Sequence, residues 1–570
     1  MRALAIVLCA ACSAAPPGPG IDVDRAMAHV AALVQIGPRP GDSARSAAAA
    51  DYITAQLAIL HVVPERFAVG GVDLPAIELL GAVQRPARHV ETVDPDLLVR
   101  FGPERGKALL VMAHYDTVPP SPGAVDNGCA VAVLLELARV LHDHPPAQPV
   151  ILAFTANEEI GLVGSEALAA RRADDVAFAI ALDLIGGSGP LVINGASTLI
   201  GVSELRWLAD AADRAGVALT APPAHRVISR WWPQAERSDH GPFTRRGVPA
   251  VHFYDRGQDG ERIDLAYHSS RDTLARVDRA SLDEVGRLLR ALVAVAPPRH
   301  AGDGFWLPVA NVAIPRWPVF AVELALAVIA LAALLATALR ATRERGGAGL
   351  CAGLACYAVA TAAASGVERF AAGAHPAPWL HGPLRAELAE AAIVLGGFVL
   401  ATRLVARRWP WIGGTRYLVA SAIPLVAIGG FWLATDALEL AWVWLVPACA
   451  IALAPRLGRA GAIAVVAPLL PAALVLAPAQ LREAAWNGFL PTAVPLAAWL
   501  AALLAPTVAA GVWWTRRRPR RGPLGTLVIN LGCALAVASG VAVVVLSPPA
   551  CSASKFQSFH LACEQVETWP

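Results

Sequence analysis

The sequence predicts two different materials in one chain: an α/β unit built on a mostly parallel, mixed sheet sandwiched by helices, then an all-α multi-span transmembrane domain. Three observations predict it. Up to about residue 300, short β-rich runs alternate with amphipathic helical stretches, the pattern of a sheet packed by helices on both faces. From about residue 318 the chain becomes a series of apolar runs separated by short Arg-rich or Pro-rich links. Acidic residues and histidines of the first part fall just after the strand-like runs, and in such folds ligands bind beyond the carboxyl ends of the strands. At 570 residues the chain exceeds one ordinary domain, and its mean hydropathy of +0.51 averages the two materials.

Residues 1–20, MRALAIVLCAACSAAPPGPG, carry one positive charge, a short apolar stretch, then small residues and prolines. That is the layout of a secretory signal sequence or an uncleaved N-terminal anchor. The apolar stretch is short for a spanning helix, which needs roughly 20 residues. Cys12 is a further option as a lipid-attachment site, although Cys9 stands where such sites usually carry leucine. Each option sends the following domain across a membrane.

Residues 22–300 form the α/β domain. ALLVMA (108–113) reads as a strand running into His114, and GCAVAVLLELARVL (128–141) as a helix following Asp126. PVILAFTA (149–156) is a strand leading to Glu158 and Glu159, and AFAIALDLI (177–185) is one carrying Asp183 near its end. PAVHFY (249–254) is another, with His268 in the loop beyond, and a last helix covers about 280–296. A linker, 301–318, follows.

About eight candidate spans lie within 319–547, near 319–339, 348–366, 388–406, 417–435, 437–455, 460–479, 491–514 and 525–547. Arginines cluster after the first (Arg340, Arg343, Arg345), third (Arg403, Arg407, Arg408, Arg416), fifth (Arg456, Arg459) and seventh (Arg516, Arg517, Arg518, Arg520, Arg521). Positive residues mark the cytoplasmic side, so the α/β domain and the C-terminal tail, 548–570, are extracytoplasmic. Only Lys107 and Lys555 are lysines, while Arg, Ala, Gly and Pro abound, which suits a GC-rich bacterial genome and an inner-membrane location with a periplasmic domain. Cys551 and Cys563 then lie where a disulfide is permitted, with two free thiols as the alternative. Cys351, Cys356, Cys449 and Cys533 read as small packing residues. Glu323, Asp436 and Glu439 sit at or near span ends, within reach of the interface, so the spans read as an anchor on the lipid bilayer rather than an ion path. The net charge of +2 comes with no basic stripe interleaved with aromatics, which argues against nucleic acid as a partner.

The chemistry rests on His114 and Asp116 in HYDTV, Asp126 in GAVDNG, Glu158 and Glu159 in TANEEIG, Asp183 in ALDLIGG and His268 in AYHSSRDT. Two histidines with several carboxylates suit a pair of zinc ions, with an acidic residue left over as a general base. Singly, each motif has a plainer reading: HYD as a surface turn, EE as a solvated helix start, Asp126-Asn-Gly as a turn or cap, Asp183 as a loop carboxylate.

Together and in this order, with IGPRPGDS (36–43) and SDHGPF (238–243), the motifs resemble the M28 family of zinc peptidases, the aminopeptidase-like group. The resemblance covers nearly all of residues 25–295. The multi-span second half is similar, in architecture only, to the endoplasmic-reticulum and vacuolar membrane members of that family. The resemblance implies two zinc ions bridged by Asp126, with His114 and Asp183 on one and Glu159 and His268 on the other. It implies Glu158 as the general base and Asp116 as the group orienting His114. It also implies an aminopeptidase fold and cleavage of peptides carrying a free N-terminus. Trp231, Trp232 and Phe243 are candidates to line the side-chain pocket. A single-zinc glutaminyl cyclase-like acyltransferase and a catalytically silent receptor or scaffold domain are the alternatives. Asp239 and His240 either shape the substrate end of the cleft or make structural hydrogen bonds, and Asp272 reads as capping a turn near His268. His225, His252 and His560 have no case as ligands, and Cys129 reads as a packing residue.

Overall fold

The computed structural model describes residues 20–79, 82–187, 191–194, 200–220, 236, 238–255, 267–299, 304–307, 312–340, 422–434 and most of 441–453. The chain divides into two compact units, Met1–Pro315 and Arg316–Pro570.

The first unit opens with α1 (Val23–Ile36) and α2 (Ala44–Ile59), whose N-caps are Asp22, accepting from the Arg25 amide, and Ser43, accepting from the Ser46 amide. Buried Ala26, Val30 and Leu33 lie on one face of α1, as a helix packed on a core requires. Then come β1 (Glu65–Ala68), β2 (Val72–Leu74), β3 (Ile77–Leu79), β4 (Ala82–Arg85), β5 (Arg88–Val90), β6 (Pro95–Phe101) and β7 (Ala108–His114). α3 (Cys129–Asp143), β8 (Val150–Thr155), α4 (Val163–Arg172), β9 (Val176–Leu182), β10 (Leu191–Asn194), α5 (Val202–Ala215) and β11 (Leu219–Thr220) follow. A short helix, His240–Arg245, precedes β12 (Ala250–Asp255), and a long one, Arg279–Val293, follows it.

Among the described residues, eight strands form one sheet in the order β1-β6-β8-β7-β9-β12-β10-β11. The central strands β8, β7, β9 and β12 are parallel, while β6 and β10 flank them antiparallel. β7 is buried along its whole length, as a central parallel strand covered on both faces must be. Alternate residues feed opposite cores. Leu109, Val111 and Ala113 of β7 join Phe178, Ile180 and Leu182 of β9 in a core lined by α1, α2, α3, α5 and Arg279–Val293. Leu110 and Met112 join Ala179 and Ala181 in the opposite core, with Val163, Ala167 and Leu168 of α4 and Phe243 of His240–Arg245. From β7 the chain goes through α3 to β8 on one side, then through α4 to β9 on the other. The carboxyl end of β7 is therefore a topological switch point, where a crevice opens.

The segment expected as a linker contains β13 (Gly304–Leu307) and β14 (Val312–Pro315), an antiparallel pair packed on α5. Its Phe305-Trp306-Leu307 and Val312-Ala313-Ile314 runs are strong strand formers.

In the second unit, helix Arg316–Arg340 and helix Ile423–Ala434 pack together, and Leu433, Ala441 and Leu445 form a small core with Phe320 and Leu326. Among the described residues no helix is long and apolar enough to cross a membrane. Glu323 is buried, 1% exposed. Cys449 is buried, as a packing residue would be, and its thiol donates to the Leu326 carbonyl at 2.9 Å. The remaining expected spans, the C-terminal tail and the N-terminal segment before residue 20 lie outside the described residues.

Asp255 closes β12 by accepting from the Gly186 amide at 2.8 Å and from the Ser281 hydroxyl. Burial raises its pKa from 3.8 to about 7, against those two donors. A raised acid pKa favours the native state below the unfolded value, near pH 4, and that contribution is lost as pH rises through about 7. Asp255→Asn, which stays neutral, should therefore gain melting temperature relative to the parent between pH 5 and pH 8. A difference independent of pH would mean that Asp255 does not titrate with folding.

Candidate metal centre

The residues singled out in the sequence meet at that switch point. His114 is the last residue of β7 and pairs with Thr155 of β8. Met112 pairs with Ala181, so His114 stands level with Asp183 one residue past β9. The strand was expected to carry Asp183, but it stops at Leu182, which frees the carboxylate to turn over the sheet edge. Asp126 sits in the wide turn Ala124–Gly128 before α3, where the Asp126–Asn127 peptide is cis. Glu158 and Glu159 lie in the turn between β8 and α4, and His268 in the loop after β12.

Asp126 stands between the two histidines. His114 Nε2 is 3.4 Å from Asp126 Oδ1 and 3.5 Å from Asp183 Oδ1. His268 Nε2 is 3.2 Å from Asp126 Oδ2 and 3.0 Å from Glu159 Oε2. Donor atoms thus gather into two sets, His114–Asp126–Asp183 and Asp126–Glu159–His268, with the atoms of each set within 4.8 Å of one another. A third set, His114–Glu158–Glu159, draws on the same histidine. Nδ1 of His114 is engaged by the Asp116 carbonyl at 3.1 Å, so its remaining nitrogen can serve only one ion.

The electrostatics are those of a cation site. Burial opposes a charged His114, yet Glu158, Asp116, Asp126 and Asp183 hold its pKa well above the usual imidazole value. His268 is likewise opposed by burial but raised to about 10 by Glu159 and Asp126. Asp126 is pulled down, against burial, by both histidines. Burial pushes Glu159 to about 7 and Glu158 well above the carboxylate range. Crowded buried carboxylates need positive charge to coexist, and protons and metal ions are alternative sources of it. Nitrogen and oxygen donors in this mix suit zinc.

The Asp116 carboxylate, expected to orient His114, is turned mainly to the neighbouring backbone. Its Oδ1 and Oδ2 accept the backbone amides of Glu158 and Glu159, both at 3.1 Å, while the nearest acceptor for His114 Nδ1 is the Asp116 carbonyl. The Asp116 carboxylate stands 3.5 Å from that nitrogen because its oxygens point at the neighbouring turn. Three non-glycine residues near the centre have left-handed backbones: Asn157 (φ 59), Leu184 (φ 53) and His268 itself (φ 53). Such residues are uncommon and concentrate at functional sites, where surrounding bonds hold them. Asn157 is held by its amide, which donates to the Thr92 hydroxyl at 2.5 Å.

Other expectations fare differently. Phe243 does not line a pocket; it is fully buried in the core against α4, because the short helix turns it inward. Trp231, Trp232 and His225 lie outside the described residues, as does His560. Asp239 accepts from the Thr155 hydroxyl at 2.5 Å, and His240 pairs with Glu236 at 2.9 Å. His252 Nε2 lies 3.4 Å from the Asp183 carbonyl and 3.9 Å from its Oδ2, and burial lowers its pKa to about 4. Cys129 is buried and fills the space beside Gly186. Sequence reasoning passed over Tyr267, whose ring stacks on His268 with centroids 3.7 Å apart. Burial, then Asp126 and Glu159, hold its phenol well above its usual pKa. Its position beside His268 was the available signal. Arg39, in the IGPRPGDS stretch, was also passed over and is 1% exposed.

The chain has known relatives over part of its length. Residues 96–293 match the model of peptidase family M28. Aminopeptidase YwaD of Bacillus subtilis is 33% identical over 197 residues, 32% of this chain and 40% of that protein. The vacuolar membrane protease of Candida albicans is 45% identical over 74 residues, 13% of this chain and 9% of that protein. The chain thus spans less than half the length of these relatives. Among solved structures, a zinc aminopeptidase of Bacillus subtilis aligns with 48% of this chain and 94% of its own, at 19% identity and a TM-score of 0.39.

If the two donor sets hold cations, chelating divalent metal from the full-length protein should lower its melting temperature, and added zinc should restore it. Calorimetric melting indifferent to both treatments would mean the cluster takes no cation.

Proposed function

We propose that this chain, which carries a peptidase family M28 domain in residues 96–293, is a membrane-bound di-zinc exopeptidase that removes N-terminal residues from peptides. The observation that carries the reading is Asp126, which presents one carboxylate oxygen to each histidine and so belongs to both donor sets. In this reading His114 and Asp183 would hold one zinc, Glu159 and His268 the other, and Asp126 would serve both sites. A single-zinc cyclase would need only one of these sets, and a silent scaffold would need neither.

Zinc held there supplies a Lewis acid and activates water near neutral pH. Glu158 is left as the group that takes the attacking water's proton and passes it to the departing amine. Burial raises the affinity of its carboxylate for a proton above that of an ordinary glutamate, the direction a general base needs. Asp116 fixes where Glu158 points by holding its backbone amide. In this reading Tyr267, stacked on His268 and kept protonated by burial and by the nearby carboxylates, donates a hydrogen bond to the oxyanion of the reacting carbonyl. The free amine of the substrate suits the same acidic surroundings, which select for a peptide N-terminus.

Membrane attachment is part of the proposal. The apolar runs of 319–547 and their alternating arginine clusters support about eight spans, with the peptidase domain periplasmic. Helix Arg316–Arg340 exposes Val322, Leu324, Val328, Ile329, Leu331 and Leu335, a face better suited to acyl chains than to water.

Glu158→Ala should keep its zinc, measured by elemental analysis, and lose turnover of amino-acyl reporter substrates by about 10²- to 10⁴-fold. Normal turnover would remove Glu158 as the base. Tyr267→Phe should lower kcat by about 10-fold or more with little change in KM, as loss of an oxyanion donor does. An unchanged kcat would leave Tyr267 a packing partner of His268.

A further inference from the structure

Two aspartates that belong to neither donor set brace the centre in the same way. Asp116, two residues after His114, accepts the consecutive amides of Glu158 and Glu159. Asp272, four residues after His268, accepts the consecutive amides of Val125 at 2.8 Å (Oδ1) and Asp126 at 3.0 Å (Oδ2). Each histidine's own segment therefore holds the turn that presents a carboxylate to the other side. The Asp272 carbonyl also accepts from Ala124, at 3.3 Å, so the whole start of the Asp126 turn hangs on this residue.

The opposite side of that turn is held by Arg39. Its guanidinium is buried and donates only to carbonyls: Tyr115 at 2.9 Å, Leu33 at 3.0 Å, Gly37 at 3.2 Å, Pro122 at 2.8 Å and Gly123 at 3.2 Å. Gly123 is required where it stands. It has φ +65, and a Cβ there would lie 2.2 Å from Thr117 and 2.8 Å from the Arg39 guanidinium. The turn is thus gripped by a cation on its carbonyls and an anion on its amides. Ser121 ties the two grips, with its hydroxyl 3.5 Å from Asp272 Oδ2 and accepting from the Gly123 amide at 3.1 Å.

We infer that Asp272 is a positioning residue that sets the two-sided presentation of Asp126, and so couples the His268 loop to the shared ligand. The inference rests on the two-zinc reading above. An aspartate accepts two amides at once, whereas an asparagine can accept with one oxygen only, so Asp272→Asn should release one edge of the turn at nearly constant volume. Groups that orient ligands without touching the ion typically matter about 10- to 100-fold in metal affinity.

The test is zinc titration of the full-length protein and of Asp272→Asn, each followed by melting with zinc and with chelator. The parent should take two zinc per chain. The variant should bind at least one ion about 10- to 100-fold more weakly, and should lose zinc-dependent melting temperature while keeping most of that seen with chelator. Equal affinities would overturn the inference and leave the two-zinc reading intact. Equal losses of melting temperature in both conditions, with affinity unchanged, would make Asp272 a structural residue. A parent that binds no zinc would sink both readings. Should Asp272→Asn fail to fold, Ser121→Ala decides: several-fold weaker zinc binding supports the coupling, and parental affinity overturns it.

Discussion

Buried negative charge gathered at one edge of a parallel sheet is the constraint on which the rest of this structure depends. Asp126, Glu158, Glu159 and Asp183 share a small, largely dehydrated volume with His114 and His268. Such a cluster is costly unless positive charge is supplied and every ligand is held at its place. Arg39 carries its charge to the edge of this region, but its guanidinium hydrogen bonds go to main-chain carbonyls. The charge left for the carboxylates must come from protons or from metal, and the donor chemistry favours metal.

Holding the ligands is the task of the turns, and the turns are held by groups that never reach the centre. Asp116 grips the Glu158–Glu159 amides, Asp272 the Val125–Asp126 amides, and His252 the Asp183 carbonyl. The sheet supplies the common frame. β7, β8 and β9 end together, and the chain crosses from one side of β7 to the other, so three successive connections deliver ligands into one crevice. Rigid strands below and strongly hydrogen-bonded turns above are what a preorganised hydrolytic site requires.

Much of this was legible in the residues. The strand running into His114 was expected at 108–113 and occupies Ala108–His114, and the helix after Asp126 was expected at 128–141 and occupies Cys129–Asp143. These elements are buried on both faces or strongly amphipathic, and hydrophobic pattern reports such environments directly. The candidate ligands stood out because charged residues directly after apolar strands have no reason to cluster at that edge by chance. Phe243 was misjudged for the converse reason. An aromatic residue beside a motif says nothing about which way a short helix turns it.

The sequence by itself determined the alternation of strands and helices, the chemical kinds of group at the strand ends, and the compositional break near residue 318. Those depend on local pattern and on residue identity, which the chain carries one position at a time. Only the tertiary structure decided that Asp126 faces both histidines, that Asp116 braces the Glu158 turn, and that Asp272 and Arg39 grip the Asp126 turn from two sides. Those relations join residues separated by as many as 147 positions. A hydrogen bond across that distance leaves no period in the sequence, because its geometry exists only after the sheet has brought the two turns together.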